Sequence, residues 1–398
     1  MGITGETRVP QLIREPSGVK VLHIVPSFYP AFNYGGPITS VYELCSGLVR
    51  QGCEVRVLTT DANGLGSVLD VAKDAPVTLP PGISVRYCPR IFRHSVSPQL
   101  ARRLAPSIRW ADLVHLTAVY NFPTIPTLAA CRWLQKPLVW SPRGALQRWP
   151  SSRRPGLKAG WESLCRRLAP RGMVLHVTSE QEAAESVAKF PGACAAVIPN
   201  GVELPPRLEH RNGSGDLRLL FLGRLDPKKG IDNLLAACQR LQVAKPWCLT
   251  IAGAGDADYS AALEESARQL GLRERVSFVG EVRGQAKTDL FAASDLAVFP
   301  SHTENFAMVV AEALAHGVPV IASKGTPWSG IEAHGCGLWV ENDPATLAAA
   351  IERMSRMPLA EMGQRGRRWM EEEFTWETVA REMLRLYGKL VLKEQSAP

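Results

Sequence analysis

Short apolar runs alternate with stretches of helical period along nearly the whole chain, and this alternation constrains the fold more than any other feature. Lys20–Val25 (KVLHIV) is followed by a helical stretch from about Ile38 to Gln51, a stop at Gly52, and a second apolar run, Glu54–Thr60. Strand, helix and strand in that order read as a βαβ unit, and its repetition predicts parallel sheets covered on both faces by helices. Asp61–Pro81 reads as loop. Glu203–Asp216, rich in Pro, Arg, Asn and Gly, breaks the pattern as a linker does, and Leu217–Gly223 restarts it. The expectation is an α/β chain with two doubly wound, Rossmann-like domains, 18–205 and 206–374. Residues 1–17 are expected to be loosely ordered, and Thr375 to cap a last helix within 375–398.

Composition narrows the class. Residues 1–200 hold 23 Lys+Arg and 12 Asp+Glu, a balance of +11, and the remainder hold 23 and 26, a balance of −3. The basic half predicts an anionic partner. The nine cysteines form no Cys-x-x-Cys pair, which argues against a disulfide frame or a zinc site and fits a reducing compartment. No run reaches membrane-spanning length, and MGITGETRVP has neither a signal-peptide core nor the Ser/Thr that a myristoylation site needs at position six. A cytoplasmic location is expected.

The most informative stretch is Asp295–Ser323. Asp295–Phe299 reads as a buried strand, Pro300 and Ser301 end it, His302–Asn305 turn, and Phe306–His316 has helical spacing before Gly317 and Pro319. Free N–H groups at such a helix start make an anion site, with Asn305, Phe306 and Ala307 as the expected donors. Glu304 and Glu312 frame it. Eight residues of helix span about 12 Å, so the two carboxylates can hold opposite ends of an extended ligand with phosphate between them. A nucleotide sugar has that shape.

A second anion site is predicted where Leu217–Gly223 runs into Arg224-Leu-Asp-Pro-Lys-Lys-Gly230 and a helix from Ile231. Gly35 and Gly36 lie between the first strand and the first helix, where backbone approaches a ligand closely; no Gly-x-Gly-x-x-Gly accompanies them, so a nicotinamide dinucleotide is not expected. Gly253 ends another strand, and Gly280-Glu281-Val282 is expected to present backbone to a nucleobase. Asp256-Ala-Asp258 matches a metal motif superficially, but Asp258 is expected to cap a helix over Tyr259–Leu270 instead. His115 stands near the end of the strand Asp112–Leu116, as a structural group or a catalyst. Ser179 and Glu182 form a capping box.

The frame Pro300-Ser301…Glu304-x-Phe306…Glu312-Ala-Leu-Ala-x-Gly317-x-Pro319-Val-Ile resembles the retaining glycosyltransferases of family four, which have the GT-B fold. Arg224 and Lys229 resemble that family's donor-diphosphate clamp, and Pro199-Asn-Gly-Val202 its crossing between domains. Ser141-Pro-Arg-Gly-Ala-Leu146 resembles a subgroup that builds bacterial cell-surface polysaccharides. The resemblance implies two domains facing across a cleft, with the Gly35-Gly36 loop toward the donor phosphates and a final helix returning to the first domain. It implies a metal-independent, retaining transfer of a hexose-type sugar, with Glu304 on sugar hydroxyls, Glu312 on ribose, and no cofactor. The family often has Gly where Asn305 and Ala307 stand. It carries a histidine near the strand end where this chain has Arg143, the candidate polar group there, whose fork can meet an anionic acceptor.

Residues 143–171 carry Arg143, Arg148, Arg153, Arg154, Lys158, Arg166, Arg167 and Arg171 against Glu162, interleaved with Trp149, Leu157, Trp161, Leu164 and Leu168. This reads either as a membrane-surface segment or as a solvated basic face over a packed one; nucleic acid is not the expected partner. The implied partners are a nucleotide sugar and a saccharide or lipid-linked saccharide acceptor, and the implied place is the cytoplasm at the inner membrane face. Alternatives of the same fold are a sugar-nucleotide epimerase or a phosphorylase. A non-catalytic nucleotide-sugar-binding subunit is the reading from a different class.

Overall fold

β1 (Lys20–Ile24) and β2 (Glu54–Thr60) pair in parallel, and α1 (Gly36–Arg50) crosses between them. The computed structural model describes residues 18–64, 66–93, 95–147, 155–207 and 215–395; the expectation for residues 1–17 lies outside them. The chain continues as β3 (Pro76–Leu79), β4 (Ile83–Cys88), α2 (Pro98–Trp110), β5 (Leu113–Thr117), α3 (Thr124–Trp133), β6 (Leu138–Ser141), α4 (Pro155–Leu168), β7 (Val174–Val177), α5 (Glu180–Lys189) and β8 (Cys194–Val197). Among the described residues these strands form one sheet in the order β3-β4-β2-β1-β5-β6-β7-β8. β3 corrects the loop expected over 61–81. It is the one antiparallel member, at the sheet edge, where the missing N–H of Pro76 is tolerated.

The second half runs β9 (Leu217–Leu222), α6 (Ile231–Arg240), β10 (Trp247–Ala252), α7 (Ala257–Gln269), β11 (Val276–Gly280), α8 (Gln285–Ala292), β12 (Leu296–Phe299), α9 (Met308–Ala315), β13 (Val320–Ser323), α10 (Gly330–Ala333), β14 (Gly337–Val340), α11 (Pro344–Met354), α12 (Leu359–Glu373) and α13 (Trp376–Gln395). Its strands are all parallel, in the order β11-β10-β9-β12-β13-β14. α6, α7 and α11 bury one face, with Leu234, Leu263 and Ile351. α8, α9 and α12 bury the other, with Phe291, Val310 and Met370. Both sheets are thus doubly wound, as the alternation predicts.

α13 leaves the second lobe and packs on the first. Val379, Met383, Leu384 and Tyr387 are buried with Val21, Leu44 and Val139 under the first sheet. Each such side chain contributes roughly 1.5–3 kcal/mol on burial, so the chain end is held firmly across the lobe boundary. Val202 N donates to Phe374 O at 2.7 Å beside the crossing.

Candidate active site

The loops after strand ends meet between the lobes. A methyl group on Gly35, after β1, would sit 3.5 Å from Arg224 Nη2, after β9. Arg283 lies over the Phe32 ring at 5.7 Å. The carboxyl ends of both sheets therefore face one cleft, where ligands of open α/β sheets bind.

Two loops of the second lobe are tied together there. Asp226 caps the turn Pro227–Lys229 by accepting from Lys228 N at 2.9 Å, and Gly230 passes the chain into α6. His302 N donates to Lys228 O at 2.8 Å. Lys229 Nζ donates to the Glu304 carboxylate, and Ser301 Oγ donates to Glu304 Oε1 at 2.8 Å. Lys287 Nζ on α8 lies 2.8 Å from Glu312 Oε1 on α9. The result is two cation–carboxylate pairs, one in the loop before α9 and one in the middle of that helix. A cavity of about 390 Å³ is lined by Arg224, Asp226, Gly255, Asp256, Tyr259 and, from the other lobe, Asn33.

The helix start differs from the sequence expectation. α9 begins at Met308, because Ala307 takes the left-handed conformation at φ +60° and Phe306 turns into the core. The Phe306 ring packs 5.1 Å from that of Trp328, whose Nε1 donates to Phe306 O. Phe306 and Ala307 thus form the strained entry to the helix rather than its first turn. A methyl group on Gly253 would lie 1.8 Å from Gly223 O, so glycine there permits β9 and β10 to close up at their ends. Val282 packs against the apolar cluster around α9. Asp256, not Asp258, caps α7, accepting from Asp258 N at 3.1 Å and Tyr259 N at 3.3 Å, the two amides that an N-cap side chain reaches.

In the first lobe two candidate side chains are turned inward. His115 is wholly buried: Nδ1 lies 2.5 Å from Tyr387 Oη and Nε2 2.6 Å from Ser141 Oγ. Ser141 Oγ continues to His176 Nδ1 at 2.7 Å, and His176 Nε2 to Ile198 O at 3.0 Å. This relay ties β5, β6 and β7 to α13 and holds His115 away from the cleft. His23 pairs with His115 in register, ring centroids 4.6 Å apart. Burial, then the nearby Arg143 charge, pushes His23 and His176 down to about 3. Burial first, with the Arg143 charge nearby, holds His115 well below its ordinary value. All three are neutral.

Arg143 sits at φ +54° with its guanidinium turned inward, Nη1 donating to Asn200 Oδ1 at the crossing. Burial lowers its pKa, with Glu182 opposing. It braces the crossing rather than offering an open fork. On α4, Trp161 Nε1 donates to Val119 O at 2.8 Å, and buried Glu162 meets Lys189 Nζ at 2.8 Å, while Leu157 (69%) and Leu164 (42%) are exposed. α4 is therefore a packed helix with an exposed basic and apolar side. Arg148, Trp149, Arg153 and Arg154 lie outside the described residues.

Sequence reasoning missed Lys287, for which no local pattern exists, and read Glu182 only as a capping-box partner. Ser179 does cap α5, accepting from Glu182 N at 3.2 Å. The Glu182 carboxylate reaches further, accepting from Thr178 N at 2.8 Å and Gly144 N at 2.6 Å.

Residues 34–204 match the family described as Glycosyltransferase Family 4, and residues 207–369 match Glycosyl transferases group 1. A D-inositol 3-phosphate glycosyltransferase of Xylanimonas cellulosilytica is 28% identical over 404 residues, 89% of this chain and 92% of that protein. An uncharacterised glycosyltransferase of Methanocaldococcus jannaschii is 34% identical over 178 residues, 42% of this chain and only 44% of the relative. Anabaena HepE, solved with UDP and glucose, superposes with a TM-score of 0.69 at 18% identity, covering 94% of this chain and 100% of that one. At that identity the likeness carries the fold alone. Two doubly wound lobes with facing strand ends define the GT-B class. Within it, the chain belongs to the family-four, group 1 glycosyltransferases.

Proposed function

We propose that the protein moves a hexose-type sugar from a nucleotide-sugar donor to a hydroxyl of a saccharide or lipid-linked saccharide, with retention and without a metal or other cofactor. The observation that carries this is the pairing of Lys229 with Glu304 in the loop before α9 and of Lys287 with Glu312 within that helix, with Arg224 lining the cavity between the lobes. A donor laid along α9 has its ribose at Glu312, its diphosphate at Arg224 and Lys229, and its sugar hydroxyls at Glu304. As the anomeric C–O bond breaks, the diphosphate leaves with the electron pair and gains negative charge, which fixed cations stabilise. The acceptor oxygen bonds the anomeric carbon from the same face, and its proton passes to a phosphate oxygen.

The exposed Leu157, Leu164 and Trp133 beside Arg167 on neighbouring helices support contact with an anionic lipid surface; sedimentation with anionic vesicles tests it. No described helix is long and apolar enough to cross a membrane. For the reaction, calorimetry against nucleoside diphosphates and their sugars comes first, then product anomer analysis by NMR with and without EDTA. Binding of one nucleotide-sugar class and a retained anomer are expected. No heat with any activated sugar would sink the reading.

A further inference from the structure

Asn305 follows Glu304 directly, yet its side chain does not stay in its own lobe. With the carboxamide nitrogen toward α5, it donates to Glu182 at 3.0 Å (Oε1) and 2.8 Å (Oε2), while its oxygen lies 3.1 Å from Thr178 Oγ1. That is the orientation in which each amide atom finds a partner of the right kind. Glu182 is fully buried, and the same carboxylate accepts from Gly144 N and Thr178 N. One side chain of the first lobe therefore fixes both the 141–146 loop above it and the Glu304 turn across the cleft.

The approach is close enough to constrain its neighbours. Gly144 has φ +75°, and a methyl group on it would lie 2.9 Å from Asn305 Cβ. Any side chain there would push the Asn305 turn away.

We propose that Asn305 and Glu182 form a reversible polar clasp between the lobes, and that Glu182 acts through it as a positioning residue for glycosyl transfer. The proposal rests on the transferase reading above. The backbone donors Gly144 N and Thr178 N belong to the lobe of Glu182 and stay in place when the cleft opens, and the Thr178 hydroxyl turns back to Glu182 as Asn305 leaves. Only the Asn305 donor is lost, and water can replace it once the carboxylate is uncovered. The clasp is therefore strong enough to select a closed geometry and weak enough to release product. Closed, it sets the separation between the 141–146 loop and Glu304, the space in which donor sugar and acceptor must meet. Placement errors of about 1 Å in such a space cost up to about 100-fold in rate.

The test uses the full chain, spin-labelled at Cys194 in β8 and Cys248 in β10, the exposed cysteines on opposite lobes; the other seven are buried. Asn305→Asp places two carboxylates face to face and drives the clasp open; Asn305→Ala removes it without repulsion. The distance distribution is expected to lengthen in both, more in N305D. Turnover is expected to fall about 10- to 100-fold, with donor KM changed much less, because the donor contacts lie in the second lobe. Unchanged distances in N305D would overturn the proposal, as would lengthened distances with undiminished turnover. A merely structural role would lower the melting temperature and the turnover together while leaving the distances alone. A wild-type chain that turned over no donor would count against the transferase reading only, since the distance measurement decides the clasp without substrate.

Discussion

Lys229 Nζ donates to the Glu304 carboxylate although the two residues stand 75 positions apart in the chain. The bond joins the loop after β9 to the loop after β12, and these strands are neighbours in the second sheet. The cation proposed to meet the diphosphate is thus held by the carboxylate proposed to grip the sugar, and on that proposal donor binding shares or replaces that bond.

Lys229→Ala should lower kcat about 100- to 1000-fold, the range seen when one fixed charge-stabilising donor is removed. Glu304→Gln should also cut turnover while leaving the melting curve close to wild type. The pair is mostly buried, but Gln keeps an acceptor for Lys229 and Ser301, so no buried donor is left unmatched. Steady-state kinetics beside thermal melts check both variants. Near-normal turnover in Glu304→Gln would remove this carboxylate from the site.

Lys287→Met leaves Glu312 without the ammonium 2.8 Å from it. The expected effect is on donor KM and nucleoside-diphosphate affinity, weakened about tenfold, roughly 1.4 kcal/mol, with kcat changed less. Calorimetry with the nucleoside diphosphate reads this directly, and an unchanged affinity would mean that Lys287 does not serve the ribose end.

Ala307 occupies a left-handed conformation at φ +60°, ψ +67°, which costs an L-residue about 1–2 kcal/mol. Ala307→Gly should relieve it, offset in part by the greater freedom of glycine in the unfolded chain, for a net gain of roughly 0.5–1 kcal/mol. A higher denaturation midpoint is expected. A lower one would show that the methyl group packs well enough to outweigh the strain.

The buried histidines make stability pH-dependent. His23 and His176 have folded pKa values of about 3 against 6.5 when free, so the unfolded chain binds more protons between those limits. Their contribution is intact above pH 6.5 and is lost as pH falls toward 3, at about 1.4 kcal/mol per pH unit for each. His23→Leu, replacing a ring whose nitrogens have no partner among the described residues, should flatten the slope by one proton. Denaturation midpoints from pH 7 to 5 measure this, and an unchanged slope would mean that His23 protonates without unfolding.

The contrast between Glu304 and Glu182 shows how far the sequence could be read. Glu304 stands in a dense local frame of strand, turn and helix, and its proposed role is argued from that frame. Glu182 stands in an ordinary capping box, and its reach to Gly144 and Asn305 exists only once two strands and two lobes are in place. The choice between the two readings of His115, and the inward turn of Arg143, lay beyond the sequence for the same reason. A strand end tells which residue is near the cleft, but not whether the side chain turns outward or is drawn inward by Tyr387 or Asn200.

By itself the sequence determined the βαβ rhythm, the two doubly wound sheets and the charged loops at their ends. Hydrophobic period and turn chemistry act over a few residues and leave their mark in order along the chain. The tertiary structure alone decided which charges pair, which polar groups are sealed inside, and that Asn305 crosses to the other lobe. Those outcomes depend on side chains brought within about 3 Å of each other, where hydrogen bonds and ion pairs act, and linear spacing carries no record of such distances.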